Sequence, residues 1–215
     1  SWAMKHRTLG RNGPLVSIIG LGCSGMTGDY GVPDDVESVA TLHRAIDLGV
    51  NFLDTSDAYG HGRNEELIGR AIKGKRGGLI IASKFGNMRG PNGERGLANG
   101  RPDYVPVACD ASLKRLGVDV IDLYLIHWPV PSQGVFVEVW EVLEKIYAAD
   151  GARAIGVSNF LPDHLENLVA NTTVVPAVNQ IEYHPTFPQN ALSEWASSHE
   201  LPFEDYRPRA KGRGE

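Results

Sequence analysis

Cysteine is nearly absent from the 215-residue chain, and Cys23 and Cys109 are too few for a disulfide framework or a zinc site. No metal is expected, and both thiols suit the reducing environment of the cytoplasm, the expected location. No run approaches the roughly 18 to 20 apolar residues of a membrane span, and no charged-then-apolar leader opens the sequence. A membrane is therefore not an expected partner. Positive charge is not in excess either. With 21 Lys and Arg against 26 Asp and Glu the formal net charge is -5, which supplies no global field to gather a phosphate backbone. Nucleic acid is set aside on that ground, in favour of a small or neutral ligand.

What is present, 42% hydrophobic and 22% charged residues, fits one globular domain with a sizeable core. Ser1, Trp2 and Ala3, ahead of Met4, are read as a leftover of expression. The domain is expected over 4–206. A basic tail follows over 207–215, where Arg207, Arg209, Lys211 and Arg213 show no apolar periodicity.

Short β-prone runs at 5–9 and 15–20 flank Arg11-Asn12-Gly13, a hairpin signal. Beyond it, compact apolar runs at 17–21, 51–54, 79–83, 120–126, 154–157, 174–179 and 202–205 alternate with segments of helical period. Val36, Val39, Ala40 and Ile46 mark a first helix, behind an Asp34 cap and ended by Gly49. Five more are expected at 65–73, 104–116, 137–149, 162–170 and 190–199, with Val137, Trp140, Leu143 and Tyr147 as one apolar face. The pattern is α/β: an incomplete (β/α)8 TIM-type barrel of about seven strands and six helices behind an N-terminal hairpin. A full barrel usually takes about 250 residues. The glycine-rich stretch 85–103 is expected to be a lid over a pocket.

Gly20-Leu21-Gly22-Cys23-Ser24-Gly25 satisfies the G-x-G-x-x-G dinucleotide fingerprint. It is read as a decoy, because Gly28, Gly31 and Pro33 follow where a helix should open beneath the pyrophosphate. A stronger signal lies at the ends of the expected strands, where barrel enzymes place their chemistry. Asp54 ends one strand, with Tyr59 five residues on; Lys84 ends the next, and His127 the one after. Singly, each has an ordinary reading as a cap, a rim aromatic, a solvated strand end or a core histidine. Four such residues in this order are hard to explain as accident.

The run Phe52-Leu53-Asp54-Thr55-Ser56-Asp57-Ala58-Tyr59-Gly60, with Asn64-Glu65-Glu66-Leu67-Ile68-Gly69 after it, resembles the aldo-keto reductase signature. Ser83-Lys84, Asp122-Leu123-Tyr124-Leu125-Ile126-His127-Trp128-Pro129, Ile155-Gly156-Val157-Ser158-Asn159-Phe160 and Val178-Asn179-Gln180 look like the family's later motifs, over about 5–199. The resemblance implies NADPH-dependent reduction of aldehyde or ketone carbonyls, with NADH as a possible substitute. It makes Asp54, Tyr59, Lys84 and His127 the catalytic set. Ser158, Asn159 and Gln180 would hold the nicotinamide carboxamide, Tyr206 would stack on its ring, and Tyr30 and Trp128 would wall the substrate pocket. A lysine ammonium about 4 Å from a tyrosine oxygen favours the tyrosinate by roughly 4 kcal/mol at an effective dielectric of 20, which makes Tyr59 a competent acid.

The match ends after Tyr206, where the family usually continues with a small polar residue, Pro and a Gly-rich loop, and then an eighth strand. A C-terminally shortened member is therefore expected, lacking the segment that holds the 2′-phosphate, with weak cofactor binding and reduced activity. Its open sheet edges are expected to drive self-association. The competing function is a non-catalytic binding or regulatory protein on the same fold.

Overall fold

Side chains alternate between the two faces of a strand, and here that alternation separates an apolar interior from a polar mouth. The computed structural model describes residues 3–10, 13–28, 31–87, 101–129, 134–182 and 188–206. The hairpin turn at Arg11 and Asn12, Tyr30, most of the expected lid and the basic tail lie outside them. Strands β1 (His6–Thr8) and β2 (Leu15–Ser17) form the antiparallel hairpin.

A second sheet holds seven parallel strands in sequential order: β3 (Leu21–Gly22), β4 (Phe52–Asp54), β5 (Ile80–Phe85), β6 (Leu123–Ile126), β7 (Ile155–Ser158), β8 (Asn179–Glu182) and β9 (Phe203–Tyr206). The helices between them are α1 (Asp35–Asp47), α2 (Arg63–Ala71), α3 (Tyr104–Leu116), α4 (Phe136–Ala148), α5 (Pro162–Asn171) and α6 (Asn190–Ser198). The sheet curls into a nearly closed TIM-type barrel whose edges, β3 and β9, are not paired to each other. Among the described residues no helix is long and apolar enough to cross a membrane.

Phe52, Ile80, Ala82, Leu123, Leu125, Ala154 and Val178 form the inner cluster, joined by Leu9 and Val16 of the hairpin, which closes the N-terminal end. The neighbours between them, including Leu53, Ile81, Tyr124, Ile155 and Val157, join the larger cluster that packs on the helices. Two-residue steps along the inner face lead from Phe52 to Asp54, from Ala82 to Lys84, from Leu125 to His127 and from Val178 to Gln180. Period-two geometry thus delivers the polar residues to one mouth. The register carries them around the barrel, pairing Lys84 with Leu125, Ser158 with Gln180, and Gln180 with Glu204.

Most helix expectations hold within two residues, and α3 has the expected bounds. Asp34 caps α1 by accepting from Glu37 N at 3.0 Å. Three expectations are corrected. The run 17–21 is not one strand. Ser17 is bonded to Asn51 Oδ1 and to Ile19 O, which bends the chain and leaves Ile18 and Ile19 each 51% exposed. The strand expected at 174–179 begins at Asn179, because α4 takes the backbone groups before it: Glu144 Oε1 accepts from Val174 N, and Trp140 Nε1 donates to Val174 O. On α4 the buried face is Phe136, Val139, Trp140 and Leu143, whereas Val137 is half-buried and Tyr147 is 39% exposed.

Gly156 leaves room for Leu125 on the inner face. A Cβ there would lie 2.7 Å from Leu125 Cδ2 and 2.9 Å from Val178 O. Gly156→Ala is expected to destabilise the fold by about 1 to 3 kcal/mol through overpacking. Gly22→Ala, where a Cβ meets nothing within 4 Å, is expected to be close to neutral. Equilibrium urea unfolding of the two variants checks this, and equal midpoints would contradict the packing argument.

Candidate active site

A buried ammonium needs an acceptor for each proton, and Lys84, 1% exposed, has them. Its Nζ donates to Asp54 Oδ1 and Oδ2 at 2.8 and 2.9 Å, to Thr55 O at 2.9 Å and to Tyr59 Oη at 3.3 Å. Burial works against the charge on Lys84, but Asp54 and Tyr59 outweigh it and hold the pKa above the usual lysine value. Because Lys84 donates to the Tyr59 oxygen, the phenol's own proton must point elsewhere.

Tyr59 opens a tight turn over Tyr59–Gly62 that runs into α2. Gly60 and Gly62 take positive φ there, and a Cβ on Gly60 would meet Thr27 Cβ at 2.8 Å. The rings of Tyr59 and His127 meet edge to face with centroids 6.0 Å apart, and Trp128, 45% exposed, stacks beside His127. Asp54, Tyr59, Lys84 and His127 are thus brought together as expected from the sequence. Lys84 lies inside β5 rather than at its end.

Ser158, Asn159, Gln180 and Tyr206 gather beside them. Asn159 adopts φ 61°, a left-handed conformation Asn tolerates. Its Nδ2 donates to His127 O and to Ser158 Oγ, and its Oδ1 accepts from Tyr206 Oη at 2.6 Å. Gln180 Nε2 donates to Asp54 Oδ1 at 3.3 Å, which links this group to the ion pair. Of the pocket walls expected, Trp128 stands at the site and Tyr30 lies outside the described residues.

Several further residues around the site were given no role by the sequence reading. Ser83 Oγ and Arg115 Nε both donate to the sealed Glu65 carboxylate, at 2.5 and 2.6 Å, tying α2 and α3 to the strand that carries Lys84. Thr55 Oγ1 donates to Asn64 Oδ1, and Asn64 Nδ2 to Cys23 O. Burial, reinforced by Glu65, raises the Asp57 carboxyl to about 7. Glu204 lines a cavity of about 370 Å³ at the β3–β9 seam, together with Asp54, Arg7 and Tyr206. Burial, reinforced by Asp54, raises it to about 8, and its Oε2 has no hydrogen-bond partner. A charged residue two positions before Tyr206 on the inner face was the available signal for Glu204.

Folded Asp57 and Glu204 keep protons at pH values where the unfolded chain has lost them, so stability falls as pH rises from about 4 towards 8. Glu204→Gln removes one such group. The stability of this variant relative to the wild type is expected to improve between about pH 5 and about pH 8. Urea midpoints at both values check this, and a constant difference would contradict it.

With this geometry in view, the comparisons with known proteins are consistent among themselves. An aldo-keto reductase of Mycobacterium bovis is 37% identical over 196 residues, covering 91% of this chain and 64% of that protein. The 2,5-diketo-D-gluconic acid reductase B of a Corynebacterium species is 40% identical over 195 residues, covering 89% and 63%. The chain thus spans just under two thirds of the length of these relatives. The solved structure of a Bombyx mori aldo-keto reductase in complex with NADP superposes with a TM-score of 0.81 at 29% identity, covering 97% of this chain and 67% of that one. The model of the Aldo/keto reductase family matches residues 18–214, and the chain belongs to that family.

Proposed function

We propose that the protein reduces the carbonyl group of an aldehyde or ketone to an alcohol with NADPH. The observation that carries this reading is the Lys84 ammonium, sealed against Asp54 and donating to the Tyr59 oxygen. A cation on that oxygen stabilises the phenolate left after proton transfer. Tyr59 then serves as the general acid, Asp54 keeps Lys84 charged and oriented, and His127 orients the carbonyl oxygen and stabilises charge developing there. A non-catalytic protein would have no use for an ammonium held against a tyrosine oxygen at this cost in desolvation.

The amide and hydroxyl groups of Ser158, Asn159 and Gln180 fit a carboxamide in chemistry and position, with Tyr206 alongside. Bound there, a nicotinamide supplies the hydride for the carbonyl carbon. To receive it, Asn159 Oδ1 and Gln180 Nε2 exchange the bonds they make to Tyr206 and Asp54. The solved Bombyx mori relative holds NADP, which supports the choice of cofactor. The Corynebacterium relative is named for a diketo acid, which supports a small polar carbonyl compound as partner. Self-association through the seam, expected from the open edges, gains no support from the structure.

Absorbance of the reduced nicotinamide, followed with NADPH and NADH over a panel of aldehydes and ketones, tests the reading. Carbonyl-dependent oxidation is expected, and its absence with both cofactors would overturn the proposal. Tyr59→Phe is expected to lower kcat by at least about a hundredfold while NADPH fluorescence titration gives near-wild-type affinity. Undiminished turnover in that variant would remove Tyr59 as the acid.

A further inference from the structure

One small side chain touches three parts of the site. Ser56, fully sealed, has its Oγ 3.2 Å from His127 Nδ1 and accepts from Ala58 N at 3.2 Å, in the turn that leads into Tyr59. The same oxygen lies 3.4 Å from Lys84 O and 3.4 Å from Asp57 Oδ1. A serine hydroxyl has one proton to give and two lone pairs to receive. The Ala58 amide takes one lone pair, so the question is where the proton goes.

Three acceptors compete for it. Lys84 O already accepts from Asp57 N at 3.1 Å. Asp57 Oδ1, at 3.4 Å and on the neighbouring residue, is more distant than His127 Nδ1. His127 Nδ1 is the nearest of the three. We propose that Ser56 is a positioning residue that donates to His127 Nδ1, fixing the neutral imidazole as the tautomer that carries its proton on Nε2.

The consequence lies in the chemistry of the carbonyl. A neutral histidine has one ring nitrogen that donates and one that accepts, and only a donor stabilises negative charge growing on a carbonyl oxygen. With Nδ1 satisfied by Ser56, Nε2–H remains as that donor. The hydroxyl also accepts from Ala58 N, so it ties the ring to the turn that leads into Tyr59 and holds the two groups that act on the oxygen in one frame. The role of Nε2 rests on the reductase reading, whereas the tautomer itself does not.

The test is a long-range proton–nitrogen correlation spectrum of the imidazole rings in the cofactor-free protein at about pH 8, above the ordinary titration range of histidine. His127 is assigned by the signals lost in His127→Gln. The wild type is expected to show an unprotonated Nδ1 and a protonated Nε2. Ser56→Ala, which removes one oxygen and whose spectrum reports its own folding, is expected to shift the ring towards the other tautomer. Ser56→Thr, which keeps the hydroxyl, is expected to restore it. If the wild type carries its proton on Nδ1, or if Ser56→Ala leaves the tautomer unchanged, the proposal is wrong. Where the wild type turns over, Ser56→Ala is also expected to lower kcat about tenfold with NADPH affinity unchanged. A wild type without turnover would overturn the reductase reading alone, since the tautomer is read without catalysis.

Discussion

Taking a lysine ammonium out of water costs several kcal/mol, even after the protein relaxes around it. Lys84 is 1% exposed, so the arrangement is tolerable only because Asp54, Thr55 O and Tyr59 Oη surround it at hydrogen-bonding distance. These partners reach the ammonium from a strand end and from the turn beyond it. Asp54 ends β4, Thr55 follows it, and Tyr59 begins the turn that leads to α2. The register of β4 on β5, with Asp54 opposite Ala82, determines whether the carboxylate meets the ammonium at all. A one-residue slip would turn Asp54 to the helix side and leave an uncompensated charge inside the barrel.

The surrounding network transmits that constraint outwards. Glu65 is sealed and accepts from both Ser83 and Arg115, so α2 is held to the residue just before Lys84 and to α3. Thr55 and Asn64 join the strand end to the backbone at Cys23. On the far side, Gln180 reaches Asp54 across 126 positions of sequence. At the N-terminal end of the barrel, Asp122 accepts from Arg76 and from Ile81 N, away from the polar mouth. Charge is thus placed at both ends of the barrel, and the layer between them is apolar.

Much of this was legible in the sequence, because period-two strands and catalytic residues at strand ends both leave marks in linear order. The run from Phe52 to Tyr59 and the spacing to Lys84 and His127 led to the right fold and to the mouth where these four side chains gather. The misses have a common cause. Side chains that bond to backbone far away in sequence, such as Asn51 to Ser17 and Glu144 to Val174, bend or withhold segments whose local composition reads as strand. Ser56, Asp57 and Glu65 lay within the quoted motif, yet nothing in their order says that one faces an imidazole, one loses its solvation and one meets an arginine. The first arises when the ends of β4 and β6 meet around β5, and the other two when α2 and α3 close over that strand.

The placement of Glu204 sharpens this distinction between what order encodes and what packing creates. Its position opposite Gln180 follows from strand register, and its inward direction follows from Phe203 packing on the outer cluster. Neither fact would raise its pKa. The rise comes from lost solvation and from Asp54, a residue 150 positions away by numbering that β4 and β9 bring to one cavity. Asp54 therefore serves two neighbours of opposite effect: it stabilises the ammonium of Lys84 and opposes ionisation of Glu204. Because one carboxylate charge suffices for Lys84, a protonated Glu204 lets the layer hold a second carboxyl without adding a second negative charge beside Asp54.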